Sequence, residues 1–235
     1  MVLIRVVRIA GVASVQDLGR PGLRHQGIPP GGALVPADLL AGNAQLGNPP
    51  NAAGIEFIGR LTLGLPDGRE ATWVAPAGVG TLAVPGGVCT PAVLGGRGVS
   101  WSAGIGRPLA AGDTLPVGGT GDPSLHLWVP LDEPIAVLGA SPSLCAGPWR
   151  VLPASDRVGH RLAGPPMPPV EAGRSTPMTR GAIQQNPDGT ITVLGPDHPI
   201  TGGYPLVGVL PTALFGRLGG ALPGACVRFV AGGAA

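Results

Sequence analysis

The chain has 235 residues, enough for one large domain or two small ones and for a sizeable buried core. Gly 42 and Pro 29 make up about 30% of it, yet only 12% is charged and 44% is hydrophobic, with a mean hydropathy of +0.33, the reverse of a disordered chain's signature. All 15 basic residues are Arg, and the absence of Lys excludes a Gly-Lys-Ser/Thr phosphate loop, a Schiff base, and biotin or lipoate carried on this chain, while a net charge of +2 without a basic run gives no footprint for nucleic acid.

In chain order, Met1-Val2-Leu3-Ile4-Arg5-Val6-Val7-Arg8 interrupts its apolar residues with two arginines, so it reads as a first strand over 4–9 rather than a secretory signal, and points to the cytoplasm. A helix is expected over 36–45: Pro36 opens it, Leu39, Leu40, Asn43 and Leu46 share one side, and Gly47-Asn48-Pro49-Pro50 stops it. Short strands are expected at 55–63, 81–84, 125–129, 135–138, 191–194 and 226–230, between Gly/Pro turns. The uncharged stretch 71–96 has the length of a membrane span, but Pro76, Pro85, Pro91 and repeated Gly argue against one lipid-exposed helix. Gly118-Gly119-Thr120-Gly121-Asp122-Pro123 reads as a linker between two mostly β, barrel-like halves, 1–120 and 121–235. A second helix is expected over 211–218, with Leu214, Phe215 and Leu218 inward and Gly219-Gly220 ending it. Cys89, Cys145 and Cys226 lie far apart and read as small core residues; no metal site is expected.

The few charges are concentrated. Gln16, Asp17, Arg20, Arg24 and His25 share a Gly/Pro-rich loop that offers donors to a carboxylate or phosphate, and Asp17 could equally tie the loop down through Arg20 or backbone amides. Glu56 lies in a strand among apolar residues and, if buried, needs a partner such as Arg. In an extended segment Arg157 and Arg161 project to one side, away from Asp156, and could hold a carboxylate; the alternative is an Asp/Arg brace between barrel walls. Asp197 and His198 precede Thr201-Gly202-Gly203-Tyr204-Pro205, whose consecutive glycines form either a backbone nest for an anion or oxyanion or a simple hairpin. Tyr204, the only tyrosine, could orient a urea-like or lactam nitrogen. Gln184, with one amide acceptor and two donors, suits an amide, a ureido ring or a lactam. His160 and His198 could be acid/base groups or structural ones.

Taken in order, Ser14-Val15-Gln16-Asp17-Leu18-Gly19-Arg20-Pro21-Gly22, Gly27-Ile28-Pro29-Pro30-Gly31-Gly32-Ala33, Gly54-Ile55-Glu56, Ser155-Asp156-Arg157-Val158-Gly159-His160-Arg161, Gly181-Ala182-Ile183-Gln184 and Asp197-His198-Pro199-Ile200-Thr201-Gly202-Gly203-Tyr204-Pro205 resemble the biotin-dependent carboxyltransferase-domain family. That family includes the C-type subunit of 5-oxoprolinase, urea amidolyase-related proteins and allophanate hydrolase subunit 2. The resemblance implies two cyclophilin-like β-barrel subdomains with one or two short helices each. It also implies a sister chain like the B-type subunit of 5-oxoprolinase, joined in one branch by an A-like protein. The implied reaction is ATP-dependent opening of 5-oxoproline to glutamate, with ATP at or with a partner, or carboxyl transfer to urea from biotin on a partner chain. The candidate catalytic residues are Gln184, Tyr204, Asp197 and Arg157. The candidate substrate or anion binders are Gln16, Asp17, Arg20, Glu56, Arg97, Asp156, Arg161, Gly202 and Gly203. The chain departs from the family at Val35, where relatives usually have Asp, at Thr176, where an acidic residue is expected, and around Arg97, which lacks flanking hydroxyl residues. It also looks shortened near 73–81 and 139–148. Those losses favour the competing reading of a non-catalytic, regulatory subunit of the same complex.

Overall fold

The structure, a computed structural model, describes residues 2–130 and 132–233. The fold is mainly β and divides into two compact units, residues 1–23 with 30–129, and residues 24–29 with 130–235.

In the first unit, β1 (Val2–Gln16), β2 (Gly54–Gly64), β3 (Glu70–Ala83), β4 (Thr114–Val117) and β5 (Ser124–Leu127) form one antiparallel sheet in the order β4-β1-β2-β3-β5. Because β5 pairs with β3, the chain changes unit after Val129 and not within the turn-rich segment 118–123. β1 runs well past the expected 4–9, since Ala13 and Val15 are buried like Ile4 and Val6 and extend its packing on Ile55, Phe57, Leu61 and Leu63. The long β1–β2 ribbon has facing glycines: Gly11 opposes Gly59, with φ of +131° and +86°. A Cβ would fall 2.0 Å from the Ile58 carbonyl oxygen at Gly11 and 2.2 Å from that of Ala10 at Gly59, so only glycine permits this approach. Helix α1 (Pro36–Gln45) has the expected bounds and buries Leu39 and Asn43, whose amide donates to the carbonyls of Pro50 (3.1 Å) and Ala52 (2.8 Å) and so fixes the turn after the helix.

The second unit contains β6 (Ile135–Val137), β7 (Pro148–Val151), β8 (Gly159–Ala163), β9 (Thr176–Pro177), β10 (Ala182–Gln185), β11 (Ile191–Leu194), β12 (Thr201–Gly202), β13 (Leu206–Val209) and β14 (Cys226–Ala231). Seven of these strands form a sheet in the order β13-β10-β11-β8-β7-β14-β6, and a bridge from Leu138 to Val209 brings its two ends together in a nearly closed barrel. Trp149, Leu162, Ile183, Ile191, Val193 and Phe229 are buried in this unit. Helix α2 (Thr212–Gly219) starts one residue after Pro211, which occupies the N-cap, and buries Phe215 and Leu218. The cysteines are not core residues as expected: Cys89 and Cys145 are half-buried, and Cys226 is exposed because it takes an outward position on β14, alternating with buried Val227. Among the described residues, no helix is long and apolar enough to cross a membrane. The first half of the uncharged 71–96 stretch is β3.

Candidate functional site

In the first unit, the end of β1 delivers Gln16 and Asp17 beneath the loop that carries Arg97. Asp17 accepts the N–H of Gly19 on Oδ1 (2.8 Å) and the main-chain N–H of Arg97 on Oδ2 (2.6 Å). Arg20 is 2% exposed and donates Nε to the Val93 carbonyl (2.8 Å) and Nη2 to those of Gly96 (3.2 Å) and Gly98 (2.5 Å), while Nη1 has no partner. Asp17 and Arg20 therefore fasten one loop from below through its backbone. Gln16 joins them, donating Nε2 to Ser14 Oγ (3.1 Å) and to the Val99 carbonyl (3.2 Å). The Arg97 guanidinium donates Nη1 to the Thr90 carbonyl. Buried Glu56 is met by backbone amides, those of Leu34 (2.6 Å) and Val35 (3.3 Å), which steady the entry to α1. Val35 is the helix N-cap and makes no side-chain cap bond. Arg24 and His25 do not share this loop's work: they lie in a 3-10 turn, Arg24–Gln26, of the second unit.

A cleft of about 290 Å³ opens beside this loop within the first unit. Arg20, Arg97, Arg107 and Asp113 line its polar side, and Val15, Val99, Ile105 and Leu109 are among its apolar walls. Arg107 pairs with Asp113 through both guanidinium nitrogens, at 2.8 and 2.7 Å, and these bonds hold the Asp113 carboxyl below the usual carboxylate range. Neither residue stood out in the sequence; the only local sign was an Arg and an Asp flanking the Gly112 turn.

In the second unit an Asp/Arg brace forms, but its acid is Asp197 and not Asp156 of the local cluster. Arg157 Nε lies 3.0 Å from Asp197 Oδ2, with side chains 6% and 0% exposed, and the Asp197 N–H donates to the Arg157 carbonyl at 3.0 Å. The two-arginine carboxylate clamp does not, because the segment bends at Arg157 and Val158 where the expectation needed it extended. Arg161, on β8, instead reaches outward to Asp188 and to Thr190 Oγ1 (3.2 Å). Asp156 is taken up by its own turn, accepting the N–H groups of Val158 (2.8 Å) and Gly159 (3.1 Å).

Gln184, on β10, is 6% exposed and points its amide at the β12 segment, with Nε2 3.5 Å from the Tyr204 carbonyl. A Cβ at Gly202 would fall 2.6 Å from that nitrogen, so glycine makes room for the amide. The glycine pair does not form a nest: Gly202 belongs to a strand, and neither Gly202 nor Gly203 has the left-handed φ that alternating nest geometry needs. Gly203 offers its carbonyl to the N–H of Gly173 (2.7 Å). Tyr204 is 40% exposed. His198 is buried, with Nδ1 2.8 Å from the Pro199 carbonyl and Nε2 unpartnered. Burial lowers its pKa, against the upward pull of the Pro199 carbonyl, and the charges of Arg24 and Arg180 add to the lowering. His160 is pushed down to about 4 by burial and stands edge-on to Phe215 at 6.2 Å, beside Arg180, whose guanidinium lies 4.4 Å over the same ring. Met178, buried against Gly202, and Arg180 carried no signal in the sequence. Among the described residues no group of three His, Cys, Asp or Glu gathers as a metal site.

Residues 138–231 match the family model described as "Carboxyltransferase domain, subdomain A and B". The likeness is to the carboxyltransferase-domain family. The C-type subunit of 5-oxoprolinase from Escherichia coli K12 is 29% identical, covering 87% of this chain and 83% of that protein, and its counterpart in Haemophilus influenzae is 28% identical, covering 97% and 91%. A crystal structure of TTHA0988 superposes with a TM-score of 0.83 at 28% identity over 98% of this chain, which spans 56% of that one. The Kluyveromyces lactis urea carboxylase, 20% identical with a TM-score of 0.81 over 97% of this chain and 27% of its own, shares the fold. The carboxyltransferase-domain likeness accounts for a mainly β chain whose second unit is a nearly closed barrel.

Proposed function

We propose that the chain is the C-type subunit of a heteromeric, ATP-dependent enzyme of the 5-oxoprolinase type, opening a lactam to an amino acid in the cytoplasm. The observation that carries this is the near-full-length likeness, in both directions, to the C-type subunits of 5-oxoprolinase from two organisms. The site chemistry supports it. Each unit carries chemistry of its own that fits: the first has an arginine-lined cleft that suits a carboxylate, and the second has the buried Gln184 amide, which carries the donor and acceptor that a ring amide pairs with. ATP would bind at or with a partner subunit, since a chain without Lys has no phosphate loop of its own. The partners would be a B-like subunit of related fold and an A-like protein. Any biotin would likewise arrive on a partner, and retention of the complex on avidin would redirect the assignment to carboxyl transfer. The test is co-expression with the sister subunits and measurement of 5-oxoproline-dependent ADP release. Release that is undiminished when this chain is omitted overturns the proposal.

One observation favours a second reading, a non-catalytic partner subunit: Arg157 and Asp197, two of the four candidate catalytic residues, are occupied with each other. The Gln184→Ala variant separates the two. A catalytic subunit keeps its complex and loses turnover, whereas a scaffold keeps both.

A further inference from the structure

The first unit's cleft is cationic, and a buried donor without a partner lies behind its wall. Arg20, Arg97 and Arg107 line it against one carboxylate, Asp113, which Arg107 already engages with both nitrogens. The buried Arg20 fork is spent on three neutral carbonyls, and its Nη1 has no partner. Asp17 lies behind the same loop, but its carboxylate is spent on the N–H groups of Gly19 and Arg97 and not on a guanidinium. A buried cation without a hydrogen-bonded acid is unfavourable, and an anion seated in the cleft offsets its charge. Arg97 is half-buried, with Nη1 alone engaged, so its other N–H groups are available to such an anion. The opposite walls are aliphatic, so the cleft fits a molecule with one anionic end and an apolar body. At about 290 Å³ it sits at the small end of ligand pockets, the size for a molecule like a single amino acid.

We propose that this cleft binds a small organic carboxylate, with its anionic end on Arg97 over the buried charge of Arg20 and its body against Val15, Val99 and Leu109. The site stands on this geometry; that the carboxylate is 5-oxoproline rests on the 5-oxoprolinase reading. All the lining residues belong to one unit, so the full chain can be tested alone. Isothermal titration calorimetry of the 235-residue chain with 5-oxoproline, propionate, the neutral lactam 2-pyrrolidinone and inorganic phosphate reads the site directly. We expect saturable binding of at least one carboxylate, none of 2-pyrrolidinone, and weaker binding of phosphate. Arg97→Gln should weaken carboxylate binding by about tenfold or more, the worth of one charge-assisted hydrogen bond. This variant keeps the main-chain N–H that bonds Asp17, and an unchanged thermal melt confirms its fold. The proposal is overturned if no carboxylate binds, if Arg97→Gln binds as tightly as wild type, or if phosphate binds as well as the carboxylates. Arg97-dependent binding of propionate without 5-oxoproline upholds the cleft and counts against the lactam substrate. Binding of neither, with ADP release by the complex still requiring this chain, overturns the cleft alone.

Discussion

His160 should make the second unit lose stability on mild acidification. Its imidazole is buried beside Phe215, and desolvation takes its pKa from the ordinary 6.5 to about 4; the charge of Asp156 and main-chain bonds at Ala221 and Gly219 pull upward, and Arg180 pushes it further down. Because the folded pKa is depressed, the unfolded chain takes up a proton at higher pH than the folded one. The contribution is whole above about pH 6.5, falls as the pH drops towards 4, and is gone below that. That gap corresponds to about 3 kcal/mol in all, roughly 1.4 kcal/mol for each pH unit of the window. Urea denaturation of wild type and His160→Gln at several pH values between 7.5 and 4 measures it. His198 is lowered in the same direction, so the difference between the two proteins is the quantity to read and not the wild-type slope. We expect the variant to be the less stable one at pH 7.5, having lost its ring packing, and the gap to close towards pH 4. Parallel curves, or a proton NMR titration placing the His160 pKa above 6, would refute the account.

Asp197→Ala leaves Arg157 buried without its carboxylate and should cost about 3–5 kcal/mol, seen as a lowered thermal midpoint, whereas replacing both by apolar residues (Arg157→Met with Asp197→Leu) should recover most of it. Leu94 holds a left-handed φ of 53° beside Gly95 in a two-residue hairpin turn, so Leu94→Gly should stabilise the first unit by about 0.5–1 kcal/mol in denaturant; destabilisation would show that the turn is not strained. Gly202→Ala puts a methyl 2.6 Å from Gln184 Nε2, so it should abolish 5-oxoproline-dependent ADP release by the assembled enzyme while shifting the midpoint little; undiminished turnover would count against Gln184 as the amide reader.

Features signalled by adjacent residues were legible in the sequence. Helix α1 has the expected bounds because a Pro start and a Gly-Asn-Pro-Pro stop are local signals that no tertiary contact needs to supply. The first half of β3 was not legible: it carries Pro76, and apolar Val74 falls on its exposed side, so the sequence does not alternate and pairing with β2 decides its conformation. The same holds for the exchange of residues 24–29 into the second unit, since membership of a unit has no local signature.

For the site, composition found the residues but could not separate those that brace from those that bind. Asp17 and Arg20, three apart, look like a pair, yet both bond a loop some 80 positions onward. Arg157 finds Asp197 40 positions away, and Arg161 turns instead to Asp188, 27 positions on. The missing Lys sharpens the distinction. A guanidinium stays charged and offers five donors in a fork, which is how Arg20 can span three carbonyls at once, but its charge must still be balanced. Arg69, Arg107, Arg157 and Arg161 are each balanced by a bonded carboxylate. Arg20 and Arg97 have only carbonyls on their side chains, and both line one cleft. In a chain this poor in charge, two guanidiniums against the single carboxylate of Asp17 at one loop leave a positive surplus, and that surplus is what the proposed anion would offset.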